Sequence, residues 1–346
     1  MNNLIANNLI ASHSQLATFR RCPREHHHRY VDRVEAVGSA EPLEAGKRIH
    51  GALGAFHRGE TSEPWDLLDK PLERALMRGY VARWAGSSLA VTQTDVTFSI
   101  SIGGIRMVGE LDAIGDYEGA RMIVEHKTSS EDISPGSAYW RRVTTSDAQV
   151  STYLYASAQL GLGAERILYD VLRKSALRGK KGESDIDLEV RALEDMIARP
   201  EHYFQRAEIT RLADEHAAFE RDIAGTARLL LATVDGAEPA PRNPDSCQKF
   251  GRECDFYSVC FTGGSINDDS RFKARLARKG SFDGGGVASA NTDLRASGDG
   301  ENHASGERAA GADNRLRPGG RPDIGGADSG AELVVGQPNP DTQYQF

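Results

Sequence analysis

A carboxylate, a histidine and a lysine follow one another at the end of an apolar run. The stretch ARMIVEHKTSS contains the run MIV and then Glu125, His126 and Lys127. Because side chains alternate along a strand, Glu125 and Lys127 share one face and His126 takes the other. Burying both charges is unfavourable unless each has a partner or a metal. Taken alone, so short a pattern more often marks a strand end at which both charges reach solvent.

A second carboxylate lies upstream in a predicted hairpin whose turn is placed near Tyr117-Glu118. With a regular register, Asp112 lies opposite Ile123, and Glu125 is its diagonal neighbour on the same face. A slip of one residue would separate the two carboxylates. The regular register therefore predicts a pair of carboxylates and one lysine at one end of the sheet.

Paired carboxylates repel unless a cation lies between them, and oxygen-rich sites suit Mg²⁺ or Mn²⁺. A bound ion would lower the pKa of a water molecule and hold a phosphate oxygen. Lys127 would then orient that water or neutralise charge in the transition state. The chemistry that this arrangement predicts is hydrolysis at a phosphate.

The segments GELDAI and IVEHK together resemble the PD-(D/E)XK nuclease superfamily in its Glu-x-Lys form, with 12 residues between Asp112 and Glu125. The usual Pro-Asp pair is absent, since Leu111 precedes Asp112. The resemblance implies an α/β, restriction-endonuclease-like fold with a mixed central sheet flanked by helices. It also implies that Asp112 and Glu125 bind Mg²⁺ or Mn²⁺ with the His126 carbonyl, and that Lys127 positions the attacking water.

Two helical motifs are similar to those of the RecB-like branch of this superfamily. Gly46-x-x-x-His50 precedes the sheet, and Gln149-x-x-x-Tyr153 follows the Glu-x-Lys strand, with both of its side chains on one helical face. The resemblance implies that His50 is a metal ligand and that Gln149 and Tyr153, near the catalytic lysine, contact DNA beside the scissile phosphate. A lone helical histidine is usually structural, and a helical tyrosine often packs in the core, so the order of the motifs carries this interpretation.

The four cysteines fall at the two ends of the ordered chain: Cys22, and then Cys247, Cys254 and Cys260. Four thiolates suit a [4Fe–4S] cluster or structural zinc, although Cys-x-x-Cys pairs are missing and unligated thiols remain an alternative. The arrangement resembles the iron–sulfur clasp of AddAB-type and CRISPR-adaptation exonucleases, in which a cluster joins the N-terminal helix to the C-terminus. The Cys-x6-Cys-x5-Cys spacing departs from several relatives.

The segment SHSQLATFRRCPREHHHRY matches the Ser-x-x-x-Leu and Cys-Pro start of that group. Arg20 and Arg21 could follow a DNA backbone, although solvated arginines explain them equally well. His26, His27 and His28 are candidate ligands, but a polar helix face is the favoured interpretation. The resemblance as a whole covers residues 12–262 and depends on the combination of motifs.

The 346-residue chain is long enough for a large core and has a net charge of −8. The start lacks a signal-peptide pattern, and no run reaches the roughly 20 apolar residues of a membrane span, so we expect a cytoplasmic protein. Glycine-rich, aperiodic sequence beyond residue 280 predicts a disordered tail. The basic stretch Arg271 to Gly280 is interpreted as a solvated helix end, with contact to a nucleic-acid backbone as the alternative.

Hydrophobic periodicity predicts the order of elements and four regions. We predict helices at 12–34, 43–58, 71–85, 147–161 and 204–232, and strands at 95–104, 105–114, 121–127 and 165–174. The predicted regions are an N-terminal helical region at 1–90, a nuclease core at 91–235, a cysteine-cluster clasp at 236–265, and a basic stretch with a disordered tail at 266–346.

The resulting hypothesis is a metal-dependent DNA nuclease, an exonuclease that acts on single-stranded or unwound ends. Its implied partners are DNA and a helicase or recombination protein, with no membrane. The resemblance suggests recombination, repair, phage replication or CRISPR adaptation as the setting. Two alternatives stay open: a catalytically silent DNA-binding subunit stapled by iron–sulfur or zinc, and a zinc-stapled interaction module.

Overall fold

The computed structural model describes residues 9–38, 41–234, 240–249 and 252–275, all of which belong to the unit Met1–Ser289. The predicted disordered tail lies outside the described residues. None of the described helices combines the length and apolar character that crossing a membrane requires.

Strands and helices alternate along the described chain. The strands are β1 Ile10–Ser12, β2 Val34–Ala36, β3 Ala90–Ile102, β4 Ile105–Tyr117, β5 Ala120–Ser129, β6 Ile167–Arg173, β7 Phe204–Ile209, β8 Gln248–Lys249, β9 Arg252–Glu253 and β10 Phe272–Ala274. The α-helices are α1 His13–Arg21, α2 Pro23–His26, α3 Glu41–His57, α4 Pro71–Trp84, α5 Ala138–Ser146, α6 Ala148–Leu160, α7 Asp185–Ala198, α8 Pro200–Tyr203, α9 Ala213–Val234 and α10 Tyr257–Phe261. Shorter turns of π- and 3₁₀-helix lie at His27–Val31, Pro64–Leu67 and Pro244–Ser246.

The central sheet is mixed. Its strand order is β1-β4-β5-β6-β7, and β3 pairs with β4. The β1–β4 and β5–β6 pairs are parallel, whereas β3–β4, β4–β5 and β6–β7 are antiparallel. The prediction of a mixed α/β sheet flanked by helices is confirmed.

Apolar side chains cover both faces of this sheet. On one face, α5, α6 and α9 pack against the sheet through residues such as Trp140, Leu154 and Ile223. On the other, α3, α4 and α7 bury residues such as Leu53 and Met196 against β6 and β7. Because both faces are covered, functional side chains can reach solvent at a sheet edge or at a gap between strands.

The register of the β4–β5 hairpin differs from the predicted one by two residues. Tyr117 pairs with Ala120, so the turn is the two-residue Glu118-Gly119, in which both residues have positive φ (50° and 81°). A two-residue turn of this kind matches the twist of the flanking strands. Because a shift of two residues preserves the face of every side chain, Asp112 stays on the face of Glu125.

Several predicted helical segments are wrong in part. Residues 204–209 form the strand β7 rather than helix, because pairing with β6 outweighs their local helical preference. Residues 12–34 are broken at Cys22, which caps α1 and precedes Pro23 of α2. Phe272–Ala274 pairs with β2 instead of ending a helix. Leu43, placed on the apolar stripe of α3, is 53 % exposed.

Candidate active site

The sheet opens between β4 and β5 where the predicted carboxylates lie. The ladder of paired residues ends at Ala113 and Val124, and the edge strand β1 continues beside the earlier part of β4. Beyond the ladder, the His126 N–H has no opposing carbonyl and donates instead to Oδ2 of Asp112, at 2.9 Å. The separation of the strands thus fixes the Asp112 carboxylate beside Glu125.

A glycine brings helix α3 close to this opening. A Cβ on Gly46 would lie 3.3 Å from Oγ1 of Thr128, which is tighter than an ordinary contact. One helical turn later, Nδ1 of His50 lies 3.5 Å from Oδ2 of Asp112. The glycine of the Gly-x-x-x-His motif therefore allows α3 to pack closely against β5, and His50 lies beside Asp112.

Glu125 and Lys127 lie side by side on the opposite side of the opening, and the lysine ammonium donates to Oε1 of Glu125. Gln149 Oε1 accepts a second hydrogen bond from Lys127 Nζ at 2.9 Å, and Gln149 Nε2 donates to Glu125 Oε1 at 3.0 Å. The three side chains form a closed ring of polar contacts. Asp147, which caps α6 by accepting from the Gln149 N–H, sets where that helix starts.

Tyr153 lies one turn further along α6 and is 7 % exposed. Its hydroxyl donates to the Glu110 carbonyl at 2.8 Å and accepts from Gln149 Nε2 at 2.7 Å. A hydroxyl with both of these partners holds Gln149 in its rotamer. To contact a nucleic acid directly, the Tyr153 hydroxyl would have to give up both hydrogen bonds. The geometry therefore favours a positioning role for Tyr153.

The electrostatics of the two carboxylates differ. Burial raises the pKa of Glu125 to about 7, because Lys127 offsets only part of the desolvation and Asp112 adds repulsion. Burial also raises the pKa of Asp112, but its hydrogen bond to His50 and the charges of His50, His126 and Lys127 lower it by more. The net effect is a pKa for Asp112 below the usual value.

A divalent cation fits this donor set. Oε2 of Glu125 is buried and has no hydrogen-bond partner, which is unfavourable for a carboxylate oxygen. Oxygen atoms of Glu125 and Asp112, with a histidine nearby, are ligands that Mg²⁺ and Mn²⁺ accept. Among the described residues, no three or more His, Cys, Asp or Glu side chains are arranged so that together they could hold a metal ion. At this site the Lys127 ammonium engages Oε1 of Glu125.

The His126 side chain points to the other face of the sheet, where a buried polar cluster supports the Glu-x-Lys strand. Its ring stacks on His57 at a centroid distance of 5.1 Å, and its Nδ1 lies 3.3 Å from Oδ2 of Asp170. Asp170 in turn accepts hydrogen bonds from Tyr80 at 2.7 Å and Arg206 at 3.1 Å. No local sequence pattern predicts this cluster, because its members lie on five separate elements.

The N-terminal helices and the cysteine-bearing C-terminal segment are joined by hydrogen bonds. The Arg24 N–H and Nε donate to the carbonyls of Pro241 and Ala240, and Asn243 Nδ2 donates to the Arg21 carbonyl. Cys22 is buried between these segments.

All four cysteines are free thiols. The pKa of Cys254 is raised to about 11 by burial, with a smaller contribution from the charge of nearby Cys247. The pKa values of Cys247 and Cys260 are raised by burial and by the proximity of Cys22. The cysteines therefore lie close enough to influence one another electrostatically, and burial disfavours the thiolate form of Cys247, Cys254 and Cys260.

Other residues singled out at the N-terminus have structural partners. Arg20 donates to Thr226, and Arg21 forms a two-point ion pair with Glu25. The favoured interpretation of His26 and His28 as an exposed polar face is wrong. Both are buried, and His28 hydrogen-bonds Asp32 at 2.8 Å.

Comparison with known proteins agrees with this geometry. Residues 10–261 match the family model of the PD-(D/E)XK nuclease superfamily. Among curated proteins none matches significantly.

Solved structures to which the chain is similar include a protein from Eubacterium rectale named "Putative exonuclease", at 13 % identity and a TM-score of 0.42, covering 70 % of this chain and 86 % of that one. A phage related exonuclease from Haemophilus somnus is similar at 13 % identity and a TM-score of 0.31, covering 60 % of this chain and 92 % of that one. The family match spans most of the chain and contains every residue of the β4–β5 opening. The chain belongs to the PD-(D/E)XK nuclease superfamily.

Proposed function

We propose that this protein is a Mg²⁺- or Mn²⁺-dependent deoxyribonuclease, an exonuclease that hydrolyses phosphodiester bonds at single-stranded or unwound DNA ends. The observation that carries the proposal is the convergence of Asp112, Glu125 and Lys127 at the β4–β5 opening, with a buried Glu125 oxygen that lacks a partner. Membership of a nuclease superfamily supports the reaction class.

Each residue of the opening has a distinct task in this mechanism. Asp112, Glu125 and His50, with the His126 carbonyl, would hold the divalent ion, which supplies an acidified water and neutralises phosphate charge. Lys127 orients the attacking water and stabilises negative charge on the phosphate in the transition state. Gln149 holds the Lys127 ammonium, and Tyr153 holds Gln149.

The preference for DNA ends is tested with four substrates: single- and double-stranded DNA, each labelled at the 5′ or the 3′ end. We expect progressive shortening of single strands from one end, so that one label is released at once and the other last. A circular single strand is the control, since an exonuclease leaves it intact. Cleavage of the circle at the rate of the linear strand would replace the exonuclease proposal with an endonuclease.

The competing proposal is a DNA-binding subunit without catalysis. The complete set of Asp112, Glu125, Lys127 and Gln149 at hydrogen-bonding distances disfavours it, because a silent copy has no physical reason to keep a buried, unpaired carboxylate oxygen. Wild-type protein that binds the labelled strand but never shortens it in Mg²⁺ or Mn²⁺ would establish this alternative.

We also propose that Cys22, Cys247, Cys254 and Cys260 bind a [4Fe–4S] cluster that fastens the N-terminal helices to the C-terminal segment. The two segments are already hydrogen-bonded, and the thiols influence one another electrostatically. Ligation would remove the thiol protons, because the thiolate is the form that binds iron.

Protein purified anaerobically is expected to be brown and to contain about four iron and four sulfide per chain. The Cys254→Ser variant should lose most of the iron and unfold at lower denaturant concentration. Zinc at about one atom per chain without sulfide would instead indicate a structural zinc site. Metal ligation is contradicted if the wild type contains neither iron nor zinc and the Cys254→Ser variant is as stable as the wild type.

A further inference from the structure

Arg211 is a buried arginine, 8 % exposed, in the short connection between β7 and α9. A buried arginine is usually paired with a carboxylate. In the described structure the Arg211 guanidinium instead donates to main-chain carbonyls and to one serine hydroxyl. Burial lowers the pKa of Arg211, and the charges of Glu215 and Asp147 offset part of this effect. A buried cation that binds main-chain oxygens holds backbone segments together.

The first segment that Arg211 holds is the carboxyl end of α5. Nη1 donates to the Thr144 carbonyl at 2.7 Å, and Nη2 donates to the Val143 carbonyl at 3.4 Å. The last four carbonyls of a helix lack partners within the helix, and the helix dipole favours a cation beside them. Arg211 therefore caps the end of α5.

The second segment is the first turn of α6. Nε of Arg211 donates to Ser151 Oγ at 3.1 Å, and Nη2 donates at 3.4 Å to the Asp147 carbonyl, which also accepts the Ser151 N–H. Asp147 follows α5 and caps the start of α6, so the two helices meet at this residue. By binding both sides of this α5–α6 junction, Arg211 fixes the angle between the helices.

The junction is also tied to the sheet beside the catalytic residues. The Tyr169 hydroxyl donates to Oδ2 of Asp147 at 3.4 Å, and Tyr169 pairs with Glu125 across β5 and β6. The other oxygen of Asp147, Oδ1, accepts the Gln149 N–H at 2.8 Å. The start of α6 is thus placed relative to Glu125, and with it the Gln149 side chain that accepts from Lys127 at 2.9 Å.

Arg211 contacts the side of α6 that faces away from the opening. Successive residues of a helix are about 100° apart, so Ser151 lies about 200° around α6 from Gln149. The guanidinium is therefore separated from Gln149 by the body of the helix. An effect of Arg211 on cleavage would pass through the position of α6.

We infer that Arg211 is a positioning residue for DNA cleavage, which clamps the α5–α6 junction and thereby holds Gln149 against Lys127 and Glu125. The inference rests on the proposed function, because it assigns Arg211 to the reaction in which Lys127 orients the attacking water. The planar guanidinium presents its donors in a fixed fork, so it can keep two helix ends in one geometry.

Single-turnover cleavage by Arg211→Met measures the effect on the chemical step. We expect kcat to fall about tenfold, less than the ~10²-fold cost of a misplacement of about 1 Å, while DNA affinity stays near the wild-type value. Arg211→Lys retains a cation for the α5 carbonyls and should recover part of the loss. In a Gln149→Ala background the Arg211→Met change should alter kcat by no more than about twofold, because the group that Arg211 positions is gone.

Arg74→Met is the matched control. Arg74 also donates to main-chain carbonyls, those of Leu68 and Asp69, and it pairs with Glu189, but it joins α4 to α7 on the other face of the sheet. Its loss should lower stability in urea and leave kcat unaltered. Three results would overturn the inference: wild-type kcat for a folded Arg211→Met protein, an equal loss of kcat in both arginine variants, or a tenfold loss that persists in the Gln149→Ala background.

Ser151→Ala provides a second variant in case Arg211→Met does not fold. It removes the hydroxyl that accepts from Arg211 Nε and leaves the contacts with α5 in place. We expect kcat to fall about threefold, the range of one hydrogen bond, and no further fall when Gln149 is already alanine. An unchanged kcat for Ser151→Ala would then overturn the inference.

A measurement without catalysis separates this inference from the nuclease proposal. The Gln149 side-chain NH₂ donates to Glu125 at 3.0 Å and to Tyr153 at 2.7 Å, so its protons should exchange slowly with D₂O. Its NMR signal is assigned by its absence from the Gln149→Ala protein. In protein without DNA, Arg211→Met should speed this exchange several-fold, and Arg74→Met should not.

The two proposals can then fail separately. If the wild type does not cleave DNA, the nuclease proposal fails, and faster exchange at Gln149 in the Arg211→Met protein still supports the clamp. If the wild type cleaves DNA but the exchange is the same in the wild type and in Arg211→Met, the nuclease proposal stands and the inference about Arg211 is overturned.

Discussion

Replacing Lys127 by alanine is expected to lower kcat for DNA cleavage by about 10²–10³-fold, the usual effect of removing one group aimed at transition-state charge. The Lys127 ammonium contacts Glu125 and Gln149 at the point where the strands separate. Because the loss falls on the chemical step, DNA affinity should stay near the wild-type value. Single-turnover cleavage of an end-labelled strand measures kcat, and fluorescence anisotropy measures affinity.

Lys273→Ala is the control for this change. Lys273 pairs with Glu35 at 3.3 Å on the surface and is 54 % exposed, so the same change of net charge should leave cleavage unaltered. Circular dichroism establishes that both variants fold. If the Lys127→Ala protein cleaves DNA at the wild-type rate, the activity belongs to a contaminant or the reaction occurs elsewhere in the protein.

Asp170→Ala is expected to lower the free energy of unfolding by about 3–5 kcal/mol, the usual result of removing one partner of a buried ion pair. Asp170 is fully buried and accepts from Arg206 and Tyr80. Its loss leaves the Arg206 guanidinium, whose side chain is 5 % exposed, without that carboxylate. Since domains are stable by only about 5–15 kcal/mol, this is a large fraction of the total.

Urea unfolding at a single pH measures the effect, with Glu208→Ala as the matched control. The Arg166–Glu208 pair also joins the β6 region to β7, but Arg166 is 57 % exposed. Its loss should change stability by about 0–1 kcal/mol. Equal destabilisation by the two variants would mean that burial of the Asp170 cluster does not stabilise the sheet.

The central strands could be predicted from sequence because local patterns define them. Alternation of apolar residues predicted β3, β4 and β5, and the Gly103-Gly104 turn between the first two is required by the fold. A Cβ on Gly103, at φ 58°, would lie 2.5 Å from the backbone nitrogen of Ala224. The prediction that Asp112 and Glu125 share a face was right despite a two-residue error in the predicted register, because such an error does not change the face of a side chain.

The remaining features depend on contacts between distant parts of the chain. Residues 204–209 resemble helix locally and become a strand only because β6 offers an edge. The partners of His126 come from α3, α4 and β6, and β7 contributes Arg206, which pairs with Asp170. A cavity of about 270 Å³ likewise combines residues at the carboxyl ends of β5 and β6 with residues of α7 and α8. No short sequence window contains these combinations.

The metal dependence of DNA cleavage tests the central claim most directly. Purified wild-type protein and the Asp112→Asn variant are incubated with an end-labelled single strand in Mg²⁺, in Mn²⁺ and in EDTA. The account predicts cleavage by the wild type with either ion, none in EDTA, and a loss of activity in the variant that excess Mn²⁺ partly restores. Cleavage in EDTA, or equal cleavage by the Asp112→Asn protein, would contradict it.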